Sequence, residues 1–365
     1  MVAVLLGKIL EYLRLTIVLV KAALCNQSLE INIHNMIRNR IKIGGQKTAL
    51  YRDERLDSVK YYLIILVIAG HVFSQSQFSE SQACTIIWKW IYMFHMPLFV
   101  FISGRFSYKK DKENFLKSIW KLLEPLIVFQ FIICLLDFVL TGSVSLKKIL
   151  TPWWVLWYLL SLTYWRLLIQ LLPSKILNKA GAVLIVTFCI SLSAGFLPFD
   201  WFLSVQRTLS FMPFFFLGYY MKEKSLFISD CYRPLSLVFL SLTILVPLFI
   251  PSILGDLNQA QPYNGTVGLL SRMFVWFISF PMSLAFLNLC PNTTWASKQG
   301  HLSMQYYIYH AFIIYFLMII VRRMGDIPLF TTAALITSAI VVGLGIASRL
   351  PYFCAFTNPS ALLKK

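Results

Sequence analysis

Acidic side chains are scarce in this chain: 15 of 365 residues are Asp or Glu, against 33 Lys or Arg. Charged residues of both signs make up only 13% of the sequence, about half of the roughly 25% usual in soluble domains. With 58% of residues hydrophobic, too little polar surface remains for an ordinary soluble fold, and the composition is that of a polytopic membrane protein. Any cysteine pattern is lacking as well. Cys25, Cys84, Cys134, Cys189, Cys231, Cys290 and Cys354 are scattered, without a C-x-x-C pair or a Cys/His zinc spacing. A disulfide framework and a metal site are therefore not expected. Most of these thiols fall in apolar runs, where Cys behaves as a small hydrophobe. No internal repeat stands out, which weighs against an inverted-repeat transporter. The net charge of +18 forms no nucleic-acid reading motif. It is spread over short loops, as positive-inside topology and attraction to anionic membrane lipids require.

What the sequence does hold is a succession of apolar stretches. About 20 apolar residues cross a bilayer as a helix. Ten segments meet that length, near 59–79, 84–104, 118–140, 152–172, 181–199, 201–221, 235–254, 268–289, 301–321 and 329–349. Lys and Arg concentrate before the first segment and in the loops after the second, fourth and sixth. The loops 74–83 and 251–267 have none. Lys147-Lys148 and Arg322-Arg323 run against the alternation. The expected fold is an all-α polytopic membrane protein with about ten transmembrane helices and both termini cytoplasmic, in a cell inner or plasma membrane. Residues 1–50 read as a separate cytoplasmic or interfacial segment. Val2–Leu24 is apolar but broken by Lys8, Glu11, Arg14 and Lys21, the pattern of an amphipathic helix lying on the membrane. Ile31–Ile33 and Ile41–Gly45 alternate like a short hairpin. Residues 52–350 form the membrane domain and 351–365 a cytoplasmic tail.

Ionisable groups inside such segments are costly and point to function. Lys60 and His71 are eleven residues apart, which puts them about 20° apart on one helical face and about 16 Å apart along it. Lys60 is expected at the inner interface and His71 near mid-membrane. His95, on the next segment, falls at a similar depth. Imidazole titrates near neutrality and serves as a base or nucleophile where a carboxylate is too weak. Pro97 is expected to kink the second segment beside His95. His310 either lines the same cavity or hydrogen-bonds across helices. Arg207 and Arg272, near outer ends of apolar segments, either hold a sugar or an anionic acceptor or snorkel to the interface. Trp153 and Trp154 read as an interfacial belt rather than a sugar platform. His34 and His301 are assigned no catalytic role.

Several motifs occur in order. Arg55-Leu56-Asp57-Ser58-Val59-Lys60 precedes ten residues and His71. Phe94-His95-Met96-Pro97-Leu98-Phe99 runs on to Ser103-Gly104. Lys117-x-x-x-Lys121-Leu-Leu-Glu124-Pro125, Trp157-Tyr158-Leu159, Pro213 through Tyr219, and Ser303 through His310 follow. Together, over about residues 52–350, they resemble the acyltransferase-3 superfamily of membrane O-acyltransferases, in particular its fucose 4-O-acetylase-like branch. Lys60, Lys117 and Lys121 stand where arginines are commoner in that family, which keeps the charge but loses the bidentate geometry.

The resemblance implies an acyltransferase without a bound cofactor. It would take an acyl group, foremost acetyl, from acetyl-CoA or another acyl-CoA in the cytoplasm. The acceptor would be a hydroxyl of a surface polysaccharide or a lipid-linked precursor. His71 would activate the hydroxyl or carry the acyl group, with His95 as its partner or alternative. Lys60, Arg105, Lys117 and Lys121 would hold the donor phosphates. His310, Arg207, Arg272 and Trp157 are candidates for the cavity and the acceptor. The competing reading is a transporter or exporter of polysaccharide or lipid-linked glycan.

Overall fold

The computed structural model describes residues 53–350 and 353, apart from 223, 225, 228, 325 and 326. The expected N-terminal amphipathic helix, the hairpin, His34 and the C-terminal tail lie outside these residues. Among the described residues the fold is all-helical. Twelve helices have eight or more residues. These are α1 (Glu54–Phe73), α2 (Gln82–Tyr92), α3 (His95–Arg105), α4 (Lys112–Thr141), α5 (Trp157–Leu171) and α6 (Ala180–Ala194). They continue as α7 (Val205–Tyr220), α8 (Arg233–Thr243), α9 (Gly265–Leu289), α10 (Thr294–His301), α11 (Ser303–Val321) and α12 (Leu329–Ala347).

Helix α1 is the axis of the molecule. Asp53 caps it by accepting the Leu56 N–H at 3.0 Å, and Glu54 and Asp57 complement the positive helix end. Its apolar residues lie on every side and most are buried against α2, α10, α11 and α12, while Tyr62, Ile65, Leu66 and Ala69 on one face stay half-buried. It ends at Phe73 before a Ser/Gln-rich turn. His71 is therefore in the last turn of α1 and not at its midpoint. At the periphery, α4 and α12 bury only 28% and 22% of their apolar windows. Side chains such as Ile127, Phe131, Phe138 and Leu335 stand exposed there, a surface suited to lipid and not to water.

Seven helical segments are long and apolar enough to cross a membrane: Glu54–Phe73, Gln82–Arg105, Lys112–Thr141, Asp230–Phe249, Gly265–Leu289, Ser303–Val321 and Leu329–Ala347. The other three expected segments contain shorter helices, α5 and α6 with 15 residues and α7 with 16. α5 and α7 are short for a common reason. Each is preceded by irregular backbone, with Trp154 (φ 37°) before α5 and Leu203 and Ser204 (φ 47° and 56°) before α7. Irregular backbone at membrane depth is tolerated where it lines a cavity, and both stretches border the one described below.

The break between α2 and α3 shows how sequence places a catalytic candidate. Pro97 has no N–H and its ring clashes with the carbonyl four residues back, which is that of Met93. The chain departs from helix at Phe94 (φ −140°) and restarts at His95. The freed Met93 carbonyl accepts the Ser279 hydroxyl of α9 instead. The kink expected from Pro97 is thus a break on its N-terminal side, and it turns His95 toward α1.

α3 crosses α7 at backbone contact. A Cβ on Gly104 would meet the Phe215 carbonyl oxygen at 1.9 Å, and a Cβ on Gly218 would meet that of Phe101 at 1.9 Å. Gly300 of α10 sits as tightly on Asp57 of α1, where an added Cβ would fall 1.7 Å from the Asp57 carbonyl oxygen. Small residues at helix crossings permit such approach. They fix the basic end of α3 against α7, and α10 against the start of α1.

Candidate active site

The loops gather at two ends. At one, Lys60, Arg105 and the loops 106–111, 172–179, 221–232 and 290–293 meet. Toward the other, a cavity of about 320 Å³ opens between α1, α2, α3, α5, α7 and the loop 250–264. Its wall holds both expected catalytic residues, His71 and His95, together with Arg207, Trp157 and Tyr307.

His71 is held by a short chain of hydrogen bonds. The Ser74 hydroxyl and the Gln75 amide donate to the His71 carbonyl at 3.2 and 2.8 Å. The Tyr92 hydroxyl lies 2.9 Å from His71 Nδ1, and Ser74 is within its reach. One tautomer that this contact permits has His71 Nδ1–H donating to the Tyr92 hydroxyl. That tautomer leaves the lone pair on Nε2. His95 is unambiguous: its Nδ1 lies 2.8 Å from the Ile91 carbonyl, which only accepts, so Nδ1 carries the proton. The same argument applies to His310, whose Nδ1 donates to the Tyr306 carbonyl at 2.8 Å. His95 and His310 thus keep the lone pair on Nε2, and His71 does so in the tautomer whose Nδ1–H donates to Tyr92. Among the described residues, no group of three or more His, Cys, Asp or Glu side chains is arranged to hold a metal ion.

His310 stands behind His71, not on the cavity wall. The two rings stack with centroids 5.3 Å apart and planes 22° apart, and His310 Nε2 is buried without a hydrogen bond. On another side the Trp154 ring meets His71 edge-on at 5.0 Å. Trp154 therefore belongs to the site, not to an interfacial belt. Trp88, Trp157, Trp201 and Phe211 complete an aromatic wall.

Backbone conformation marks the same place. Five non-glycine residues among those described adopt left-handed φ: Trp154, Asp200, Leu203, Ser204 and Gln259. Each lies in or next to a segment that lines the cavity, and such strain collects at functional sites. It is held by buried bonds around α7. Ser161 and Thr208 hydroxyls pair at 2.7 Å, Thr208 donates to the Ser204 carbonyl at 2.8 Å, and Trp165 donates to the Thr208 carbonyl at 3.0 Å. These bonds position Arg207, one residue away. Arg272 is elsewhere: it donates to the Ser191 carbonyl at 3.1 Å and lies over the Tyr263 ring at 4.5 Å.

At the basic end the four expected donor residues separate. Lys60 pairs with Asp57 at 3.0 Å and covers the Phe106 ring at 4.3 Å. Arg105 donates to the Met221 carbonyl and so ties α3 to the end of α7. Lys117 points away, paired with Glu113 at 2.5 Å on an exposed face. Lys121 instead clusters with Lys110 and Arg166. Burial, then the Arg166 and Lys121 cations, hold the Lys110 ammonium below its ordinary value. Arg166 reaches the Ser118 carbonyl of α4 at 3.4 Å, and Gln170 straps the loop by exchanging hydrogen bonds with the Lys110 backbone at 2.9 and 3.2 Å. Arg166 carries the same signal in the sequence as Arg207 and Arg272, an ionisable group inside an apolar segment, but no motif marks it. On the way from this cluster to the cavity, Tyr158 bonds the Ser103 hydroxyl and its ring packs on that of the cavity residue Tyr307 at 5.4 Å.

Comparison with protein-family models matches residues 53–348 to a family described as an acyltransferase domain, Acyl_transf_3. The chain belongs to the acyltransferase-3 family. It is an acyltransferase, and with seven membrane-length helices it is a multi-pass membrane enzyme. The comparisons with curated proteins and with solved structures found no match. The matched residues contain the whole cavity and the basic cluster, so both belong to the acyltransferase domain.

Proposed function

We propose that this acyltransferase moves an acyl group, foremost acetyl, from acyl-CoA to a sugar hydroxyl of a surface polysaccharide or lipid-linked precursor. The observation that carries this reading is His71. Its Nδ1 is engaged by Tyr92 and its side chain lines an aromatic cavity inside an acyltransferase domain. In the proposed mechanism Nε2 takes the proton of the acceptor hydroxyl as the oxygen attacks the thioester carbon. The C–O bond forms, the C–S bond breaks, and the CoA thiolate leaves with that proton. His95 Nε2 orients the hydroxyl. The wall of Trp88, Trp154, Trp157 and Trp201 suits the apolar faces of a sugar ring. Mass spectrometry of surface glycans from a deletion strain tests the acceptor assignment. Loss of one O-acyl group is expected, and an unchanged glycan profile would contradict it.

In this proposal the donor's phosphates lie on Lys110, Lys121 and Arg166, and the thioester passes Tyr158 and Tyr307 toward His71. Lys121→Ala and Arg166→Gln are each expected to weaken acetyl-CoA binding by about one to two decades, the worth of a charged hydrogen bond of about 1.5–3 kcal/mol. Lys117→Ala should change it little, because Lys117 already pairs with Glu113 on the open surface. Calorimetry on the purified chain checks this. Equal losses for all three variants would leave only a diffuse positive face.

The orientation follows the charge alternation, with ten membrane-inserted segments and both termini cytoplasmic. Reporter fusions at residues 112 and 177 should read inside, and those at 79, 145 and 256 outside. Lys148 does not oppose this, because it is neutralised by an ion pair with Asp137. An outside reading at 112 would put the basic cluster on the wrong face for acyl-CoA.

A further inference from the structure

Arg207 is 6% exposed and lines the cavity. It lies over the Trp201 ring at 4.2 Å and over the Trp157 ring at 4.8 Å. Two aromatic faces suit a guanidinium, but they accept none of its five N–H donors. Among the described residues it makes no ion pair, and its Nε is buried without a hydrogen bond. The acid whose charge acts on it is Asp256, whose carboxylate is already engaged. Its two oxygens accept backbone N–H groups of Asn258, Ala260 and Gln261 at 2.9, 2.7 and 2.8 Å. A buried cation without a counter-ion is costly, and here it is held rigidly at the head of α7. The remaining polar groups on the wall are Ser74, Gln75, Asn258, Tyr92, Tyr307 and the two imidazoles. None of them is an acid.

We infer that Arg207 receives an anionic group of the acceptor, so that the acceptor is a sugar bearing a carboxylate or a phosphate beside the hydroxyl to be acylated. This rests on the acyl-transfer reading and narrows its substrate. A planar guanidinium binds carboxylate or phosphate oxygens in a bidentate fork. Trp157 and Trp201, whose rings lie against the guanidinium, would hold it in place beside the sugar that carries the group. At about 320 Å³ the cavity is at the small end of ligand sites, which run roughly 300–1,000 Å³. It therefore reads a small part of a larger glycan. Arg207 would fix the ring and thereby choose which hydroxyl meets His71.

Binding tests this without turnover, so its result is separate from whether acyl transfer occurs. The detergent-solubilised full chain is titrated, with tryptophan fluorescence as readout, against methyl β-D-glucuronide, glucose 1-phosphate, methyl β-D-glucoside and CoA. At least one anionic sugar is expected to bind ten-fold or more tightly than the glucoside. Preference for the glucuronide would identify a uronic acid, and preference for glucose 1-phosphate a phosphorylated sugar. Arg207→Gln should erase the preference, and Arg207→Lys should keep part of it. In the wild-type chain inorganic phosphate should compete with the anionic sugar and not with the glucoside. Equal affinity for charged and neutral sugars, a preference that survives in Arg207→Gln, or Arg207-dependent binding of CoA in place of a sugar would each overturn the inference.

Discussion

His71→Gln is expected to lower acyl transfer by about 10²–10⁴-fold, the usual contribution of a positioned general base, while the protein still inserts and accumulates. Gln is close to His in size. The Ser74 and Gln75 bonds use the backbone carbonyl of residue 71, so they survive the change. The loss should therefore appear in turnover and not in yield. The neighbouring histidines give a graded comparison. His310→Gln removes a ring stacked behind His71 and should cost less, because His310 does not line the cavity. His95→Gln should fall between, since it lines the cavity without the Tyr92 bond. Turnover measured at equal protein amounts checks the order. A well-expressed His71→Gln variant with wild-type turnover would remove His71 from the chemistry.

Gly104→Ala and Gly218→Ala are expected to prevent accumulation of folded protein. Each added Cβ would fall 1.9 Å from a backbone carbonyl oxygen of the facing helix. No rotamer change relieves a clash between two backbones, so α3 and α7 would have to separate along their whole contact. Ordinary overpacking in a core costs about 1–3 kcal/mol when side chains adjust, and here none is available to adjust. Both variants should be degraded or should elute as aggregates. As a control, Gly343→Ala, on the outer helix α12 with open space around its Cβ position, should behave as wild type. Normal elution of Gly104→Ala would show that this crossing is looser than described.

Much of this architecture is legible in the sequence because two signals are strong. Apolar length located the helical segments, and the Lys/Arg alternation sorted their loops. The pairing of His71 with His95 was readable from opposed helices and from the motif around Pro97. Other features depended on distances that no periodicity encodes. Apolar length alone starts α1 too late in the chain, because Asp53, Glu54 and Asp57 look like loop residues, yet they cap and charge a helix start. Irregular backbone at 153–156 and 200–204 shortened α5 and α7, and nothing in an apolar run announces that. Trp154 has an interfacial residue's composition, but its ring meets His71. Lys117 and Lys121 share a helical face, yet Glu113 claims one and the Lys110–Arg166 cluster the other. Arg207 and Arg272 look alike in sequence. A Ser191 carbonyl occupies Arg272, while Arg207 is left facing the cavity.

The most direct measurement is CoA release by the purified, detergent-solubilised chain given acetyl-CoA and a glycan acceptor, run beside His71→Gln. Release that rises with acceptor, with one acetyl group appearing on the glycan per CoA freed and both lost in His71→Gln, is the expected result. Intact acetyl-CoA in the wild-type reaction, or equal release by wild type and His71→Gln, would contradict the account.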